Sequence, residues 1–416
     1  MVGAGLGAAA AAALGGLLRQ FRPPTKGIDE PPEPAYAVHD DQFLRTLGAI
    51  LPPPLAPGNR VETLRNGNAI FPVMLDAIRA ARRTVTMETF IYWRGGVARE
   101  CAEALAERAR AGVACHLMLD WWGSQRMDQR LMRRAGVQVE RFHRPGWSMA
   151  RANHRTHRKL LVVDGRVGFT GGVGIADEWT GDAQDPQHWR DNHYRIEGPV
   201  VAQLQSAFSD NWLKSQSTVL HGNDYFPPLE EVGPLRCQAF QSSPDEGSES
   251  MRLLFLMGLG AARRSVRIAT AYFVPDELTV RALCRARDRG VDIQVIVPGQ
   301  HIDTPVVRHA SRRTWPALLD AGVAIHEYLP TMYHVKAMIV DGYWTSIGSA
   351  NFDNRSFRLN DEANVNVFDE GFAREQAAWF EHDLTRCRRM THETLAERPV
   401  PTKAVDAAAG LLAGQL

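Results

Sequence analysis

The sequence predicts an α/β fold: two tandem α/β/α repeats with mixed sheets, packed as a pseudo-dimer around one shared site. Three observations lead there. The chain has 416 residues and 44% hydrophobic content, enough for two cores rather than one. Helical stretches alternate with short β-branched strands, the order of an α/β architecture. Above all, one arrangement is written twice. "HRTHRKLLVVDGRVGFTGG" (His154 to Gly172) and "YHVKAMIVDGYWTSIGS" (Tyr333 to Ser349) both carry His-x-Lys, four residues, Asp, six residues, then Gly and a small residue.

The elements follow in order. Residues 1–18, "MVGAGLGAAAAAALGGLL", fall short of the ~20 apolar residues that span a bilayer and lack the basic start of a secretory signal, so a tail is expected and a membrane segment is the weaker reading. Residues 19–58 are Pro-rich and read as a linker or wrapping arm; residues 1–58 are thus expected outside the folded body, which starts near Val61. The first repeat is expected over 59–225, the second over 226–390, and a C-terminal tail over 391–416.

Within the repeats, "AIRAARRTVTMETFIYW" (Ala77 to Trp93) matches "GLGAARRSVRIATAYFV" (Gly258 to Val274), a helix ending in Ala-Ala-Arg-Arg and then a strand. A helix and strand around "RARAGVACHLMLD" (Arg108 to Asp120) match "RARDRGVDIQVIV" (Arg285 to Val297), and "RRAGVQVERF" (Arg133 to Phe142) matches "LLDAGVAIHEY" (Leu318 to Tyr328). The doubled motif then forms a hairpin: Lys159 to Val163 as a strand, Asp164-Gly165 as the turn, Arg166 to Thr170 returning, with Asp341-Gly342 as the twin turn.

Residues two apart on a strand share a face, so His157 points with Lys159, and His334 with Lys336. Asp164 and Asp341 belong to the same candidate catalytic set, but they fall at odd offset in the turn and take a framework role. The pairs Gly171-Gly172 and Gly348-Ser349 are expected to let backbone N–H groups approach an anion. All these paired positions are 177 residues apart, which marks a duplication rather than a coincidence of spacing.

The chemistry of the set is coherent. One imidazole can attack phosphorus, but the departing alkoxide then needs a proton from a second positioned acid, so one site needs two histidines. Two lysines, with Asn351 and Ser349, would neutralise the non-bridging oxygens. Only five of the 48 basic residues are lysine (Lys26, Lys159, Lys214, Lys336, Lys403), and two stand at matching motif positions, where a compact ammonium cannot be exchanged freely for a guanidinium fork. Each histidine needs a carboxylate on its other nitrogen; Asp191, 34 residues after His157, and Glu362, 28 after His334, are the candidates. No phosphate loop, EF-hand or His-Glu-x-x-His helix occurs, so neither metal nor cofactor is expected. The five scattered cysteines point to reduced thiols rather than a zinc site, and a net charge of +1 argues against nucleic acid as a partner.

The His-x-Lys-x4-Asp motif resembles that of the phospholipase D superfamily. "GSANFDNRSFRLNDEANV" (Gly348 to Val365), "ATAYFVPD" (Ala269 to Asp276) and "RIEGPVVAQLQSAFSDNW" (Arg195 to Trp212) resemble its bacterial cardiolipin synthase branch, the likeness running from Val61 to Cys387. The resemblance implies two phospholipase-D-like repeats and a phosphatidyltransferase that joins two phosphatidylglycerols into cardiolipin, releasing glycerol through a phosphatidyl-histidine. It also implies that His157 is the nucleophile and His334 the general acid and base. The first motif departs from the second, ending in Gly171-Gly172-Val173-Gly174 where the second has Gly348-Ser349-Ala350-Asn351, so the site is expected to be asymmetric.

Three alternatives share the motif: a hydrolytic phospholipase D, a nuclease with a basic, aromatic-lined groove, and an inactive lipid-binding scaffold, which two complete motifs disfavour. A two-chained substrate implies a membrane surface as partner. Peripheral attachment on the cytoplasmic face of the cell membrane is expected, with Trp147 and Met149 as anchors beside Arg144, Arg151 and Arg155.

Overall fold

A computed structural model describes residues 27–142, 153–244 and 249–410. The first half contributes strands β1 (Ala56–Arg65), β2 (Thr84–Thr89), β3 (Ala114–Asp120), β4 (Gln138–Phe142), β5 (Arg155–Thr156), β6 (Leu160–Val163), β7 (Val167–Gly171) and β8 (Asn192–Glu197). The second contributes β9 (Leu235–Ser242), β10 (Ser265–Ala269), β11 (Phe273–Val274), β12 (Asp292–Pro298), β13 (Ala324–Tyr328), β14 (Ala337–Val340), β15 (Trp344–Gly348), β16 (Phe352–Asp353), β17 (Asn360–Phe368) and β18 (Cys387–Arg389). Spatial order is β4-β3-β2-β6-β7-β8-β1 in one half and β13-β12-β10-β14-β15-β17-β9 in the other, the same order twice. β1 and β9 join edge to edge, so the two mixed sheets expected from the sequence run together as one sixteen-stranded sheet.

The hairpins show why the repeated words were paired. Asp164 and Gly165 have φ of 51° and 63°, Asp341 and Gly342 of 54° and 66°, the doubly positive geometry of a type I′ turn. Asp164 accepts from the backbone N–H of Arg82 (3.0 Å), Arg83 (2.7 Å) and Thr84 (2.9 Å). Asp341 does the same for Arg263 (2.8 Å), Arg264 (2.8 Å) and Ser265 (2.9 Å). Each Ala-Ala-Arg-Arg word is thus the junction between a helix end and β2 or β10, clasped by its own half's aspartate.

Both expected tails contribute to the body. The helix Asp41–Ile50 buries Phe43 and Leu47, with Val38 and Leu51, in the second half's core, where the Phe43 ring lies 5.7 Å from that of Trp344. The i, i+4 spacing of Phe43 and Leu47, set between two Pro-rich runs, gives this arm an apolar face to dock, so the described body starts ahead of Val61. At the other end the helix Val400–Gly410 packs on Pro305–Ser311, with Asp406 Oδ1 2.6 Å from His309 Nδ1 and Ala409 buried. Each half has its own apolar core, and a third core under the central strands takes residues from both, including Leu160, Tyr194, Ile347 and Val365.

Candidate active site

The site forms where the halves exchange strands. β5 runs parallel to β17, pairing Arg155 with Asn360 and Thr156 with Asp361, and the His157 N–H then donates to Asp361 O at 2.9 Å. The mirror arrangement pairs Tyr333 with Arg190, and the His334 N–H donates to Arg190 O at 2.8 Å. One residue further on, each acid meets the histidine of the opposite half. His157 Nδ1 lies 2.9 and 3.0 Å from the Glu362 carboxylate, and His334 Nδ1 lies 2.7 Å from Asp191 Oδ2. Asp191 and Glu362 are register equivalents: Gly171 pairs with His193 and Gly348 with Asn364, two residues beyond each acid.

All four groups are buried. Burial, against the pull of Glu362, holds His157 down at about 4; burial and Lys336 hold His334 at about 3. Both imidazoles are therefore neutral at pH 7, each with Nδ1–H directed at a carboxylate and Nε2 carrying the lone pair. Burial alone would raise Glu362, but His157, Lys159 and the Ser349 hydroxyl outweigh it and keep it at about 2; His334, Lys336 and the Trp179 indole likewise hold Asp191 below the usual carboxylate range.

The lysines are placed less symmetrically. Lys159 Nζ donates to His157 O at 2.8 Å. Lys336 Nζ donates to His334 O at 2.6 Å and lies 3.0 and 3.1 Å from the two ring nitrogens of His334. No such ring contact by a lysine is found at His157 among the described residues, so its Nε2 is the more available of the two. Burial lowers Lys159 to about 7 and Lys336 to about 8, with Glu362 and Asp191 holding up each charge.

The small residues differ from expectation. The N–H groups of Gly172 and Ser349 are committed to Asn192 O (3.1 Å) and Ala363 O (3.0 Å), so they are not anion donors. They are small because the carboxylates stand against them: a Cβ on Gly172 would lie 2.3 Å from Asp191 Oδ1. Ser349 Oγ instead donates to Glu362 Oε2 at 2.5 Å. Asn351 is buried and lines the cavity. Asp164 and Asp341 stay at their turns.

A cavity of about 710 Å³ opens onto His157, beyond the carboxyl ends of β2, β3, β10 and β12, the usual place for a ligand in an α/β sheet. Phe90, Ile91 and Trp93 give it an apolar wall, while Tyr272, Asp303 and Thr304 give it a polar one. Arg126, Arg155 and Arg355 also line it.

Motif reading alone missed several neighbours. The Phe90 ring meets His157 edge-on at 5.3 Å, Trp179 and Trp189 pack on His334 at 5.2 and 5.5 Å, and Trp179 Nε1 donates to Asp191 at 2.9 Å. Phe90 lies inside the repeated word after β2, which was its available signal; the two tryptophans lie in the connection from Gly172 to Asp191, which is longer than its counterpart from Ser349 to Glu362 and does not repeat its wording. Trp147, Met149, Arg144 and Arg151 lie outside the described residues, as do residues 1–18.

The family model described as cardiolipin synthase, PLD-like domain, matches residues 74–212 and 256–384. Cardiolipin synthase A of Pseudomonas fluorescens (strain SBW25) is 37% identical over 371 residues, which is 86% of this chain and 75% of that protein. Cardiolipin synthase A of Pseudomonas aeruginosa (strain LESB58) is 36% identical over 355 residues, 84% of this chain and 72% of that protein. Among solved structures, phosphatidylserine synthase of Haemophilus influenzae Rd KW20 superposes with a TM-score of 0.71 at 13% identity, covering 90% of this chain and 99% of that one, a likeness of fold.

Proposed function

The chain belongs to the cardiolipin synthase family of phospholipase D-like proteins and is a phospholipid phosphatidyltransferase, and we propose that it joins two phosphatidylglycerols into cardiolipin and releases glycerol. The observation that carries this is the pair of neutral, carboxylate-oriented imidazoles in one buried site with two lysines. His157 lines the cavity with its Nδ1 held by Glu362, and its Nε2, the more available nitrogen, attacks phosphorus; the P–O bond to glycerol breaks, and that oxygen takes a proton from His334. The anionic phosphate entering beside His334 offsets the burial that keeps it neutral, so His334 gains its proton as the substrate binds. In the second step His334 takes a proton from a hydroxyl of the second phosphatidylglycerol, whose oxygen displaces His157. Lys159, Lys336 and Asn351 stabilise the non-bridging oxygens. Exchange of one phosphodiester for another is close to neutral, so no nucleotide is required.

A lipid surface is the proposed setting. No helix among the described residues is long and apolar enough to cross a membrane. Trp122 lines the cavity and is 59% exposed, with the Arg155 guanidinium 5.5 Å from its ring and Arg126 exposed nearby, a pairing suited to an anionic headgroup layer.

The test incubates purified protein with phosphatidylglycerol vesicles and follows cardiolipin, glycerol and phosphatidic acid together. Cardiolipin with equimolar glycerol supports the proposal, and phosphatidic acid alone makes the protein a hydrolase. His157→Ala and His334→Ala should each lower turnover by at least about 10³-fold. Acid-quenched enzyme should carry its phosphoryl group on His157; finding it on His334 reverses the two roles.

A further inference from the structure

The two walls of the cavity are related by the duplication and yet opposite in character. Thr89 and Thr270 mark the equivalence: the first hydroxyl donates to Ile91 O at 2.9 Å and the second to Tyr272 O at 2.8 Å. Tyr272 therefore stands where the first half has Ile91, and both line the cavity. The Tyr272 hydroxyl gives its one proton to Asp303, 2.8 and 2.9 Å from the carboxylate oxygens, with Thr304 Oγ1 at 3.3 Å. With that proton spent, the phenol oxygen and the remaining carboxylate lone pairs can only accept hydrogen bonds. Asp303 is exposed towards the cavity, and its charge acts on Lys336 inside the reaction centre. An acceptor-only pair beside a phosphoryl-transfer centre fits a ligand that brings donors. Two chemistries qualify, a polyol or an ammonium. Arg126, Arg155 and Arg355 in the same cavity, against the acids Asp303 and Asp353, favour a neutral polyol on an anionic lipid over a cationic headgroup.

We infer that Tyr272 and Asp303 form the subsite that reads the second hydroxyl of a glycerol headgroup, so that they set the preference for a polyol acceptor over water or a simple alcohol. This rests on the transferase reading above. The reacting hydroxyl faces phosphorus and His334, while its neighbour on the glycerol is held by the second half's wall. The apolar wall of Phe90, Ile91 and Trp93 is left for the diacylglycerol side of the donor. The alcohol that leaves and the alcohol that enters share one side of phosphorus, so the same pair holds the departing glycerol in the first step.

The experiment uses nucleophile competition, because acceptors that compete for one phosphatidyl-enzyme give product ratios independent of how fast it forms. The intact protein is given phosphatidylglycerol vesicles with labelled glycerol, 1-propanol and ethanolamine at equal concentration, and all transfer products and phosphatidic acid are quantified. Tyr272→Phe keeps the ring and Asp303→Asn keeps the shape at an exposed position, so both should melt with the wild type. Each should lower the glycerol-to-propanol product ratio by about ten-fold, the effect of one lost hydrogen bond to a charged acceptor, through a higher acceptor KM with kcat changed less. An unchanged ratio in both variants overturns the inference, and so does a wild-type preference for ethanolamine that Asp303→Asn abolishes. A wild type that yields phosphatidic acid alone fails the transferase reading itself, a result seen before any variant is made.

Discussion

Each active-site ammonium is pinned to the carbonyl of the histidine two residues before it, at 2.8 Å for Lys159 and 2.6 Å for Lys336, which leaves a pocket sized for a point charge. A guanidinium keeps the charge but is planar and wider, so Lys159→Arg and Lys336→Arg should each lower kcat by about 10²-fold, as a displacement of order 1 Å would. Near-wild-type rates in either variant would remove the point-charge account. The same lysines set a pH limb. Burial, relieved in part by Glu362 and Asp191, holds them at about 7 and 8, so they are charged below those values and lose charge above them. Because His334, at about 3 in the free enzyme, takes up its proton as substrate binds, kcat/KM should already decline with rising pH, and on an anionic phosphodiester it should fall more steeply through 7 to 8 as the lysines lose charge. His157, held at about 4 by burial, is the free base above that value, which puts the acid limb near 4. A limb near 6.5 instead would mean that the nucleophile is not desolvated.

At the scale of elements, the two turn aspartates are separable from chemistry. Asp164→Asn preserves the turn, since Asn tolerates positive φ, but faces three amide donors with one acceptor oxygen and an N–H₂ group. About 2–3 kcal/mol should be lost. The melting temperature should then drop by about 5 °C. A full loss of rate with an unchanged melt would instead make Asp164 a reaction-centre residue. The framework of these elements was legible because each repeat is a local word: Arg82 and Arg263, or Asp164 and Asp341, sit in matching phrases that a single chain displays twice. The crossing of Glu362 to His157 and of Asp191 to His334 was not legible. Their unequal spacings of 28 and 34 residues describe only chain length, whereas the pairing is made by β5 on β17 and by the Arg190–Tyr333 bridge, contacts between residues more than a hundred positions apart. The smallness of Gly172 and Ser349 was legible and its cause was not, because room for a carboxylate and room for an anion look alike in sequence. The arm around Phe43 was hidden by its prolines.

At the scale of the whole molecule, a two-chained lipid must reach a histidine that is only 7% exposed, so the mouth of the cavity has to meet the bilayer. Trp122 is the most exposed tryptophan among the large apolar side chains of the described residues, and it sits on that mouth beside Arg126 and Arg155. An indole fits the headgroup region, and each arginine near an anionic leaflet adds about 1 kcal/mol. Removing the ring should cost about 1.5 kcal/mol of apolar burial in the membrane. That corresponds to roughly ten-fold weaker partitioning of Trp122→Ala onto phosphatidylglycerol vesicles. The melt should be unchanged, because a ring so exposed supports little of the fold. Flotation at two salt concentrations separates the contributions: the arginine share weakens with salt, and the indole share does not. Unaltered flotation of Trp122→Ala at both salts would move the docking face away from the cavity mouth, and the lipid would then need another route to His157.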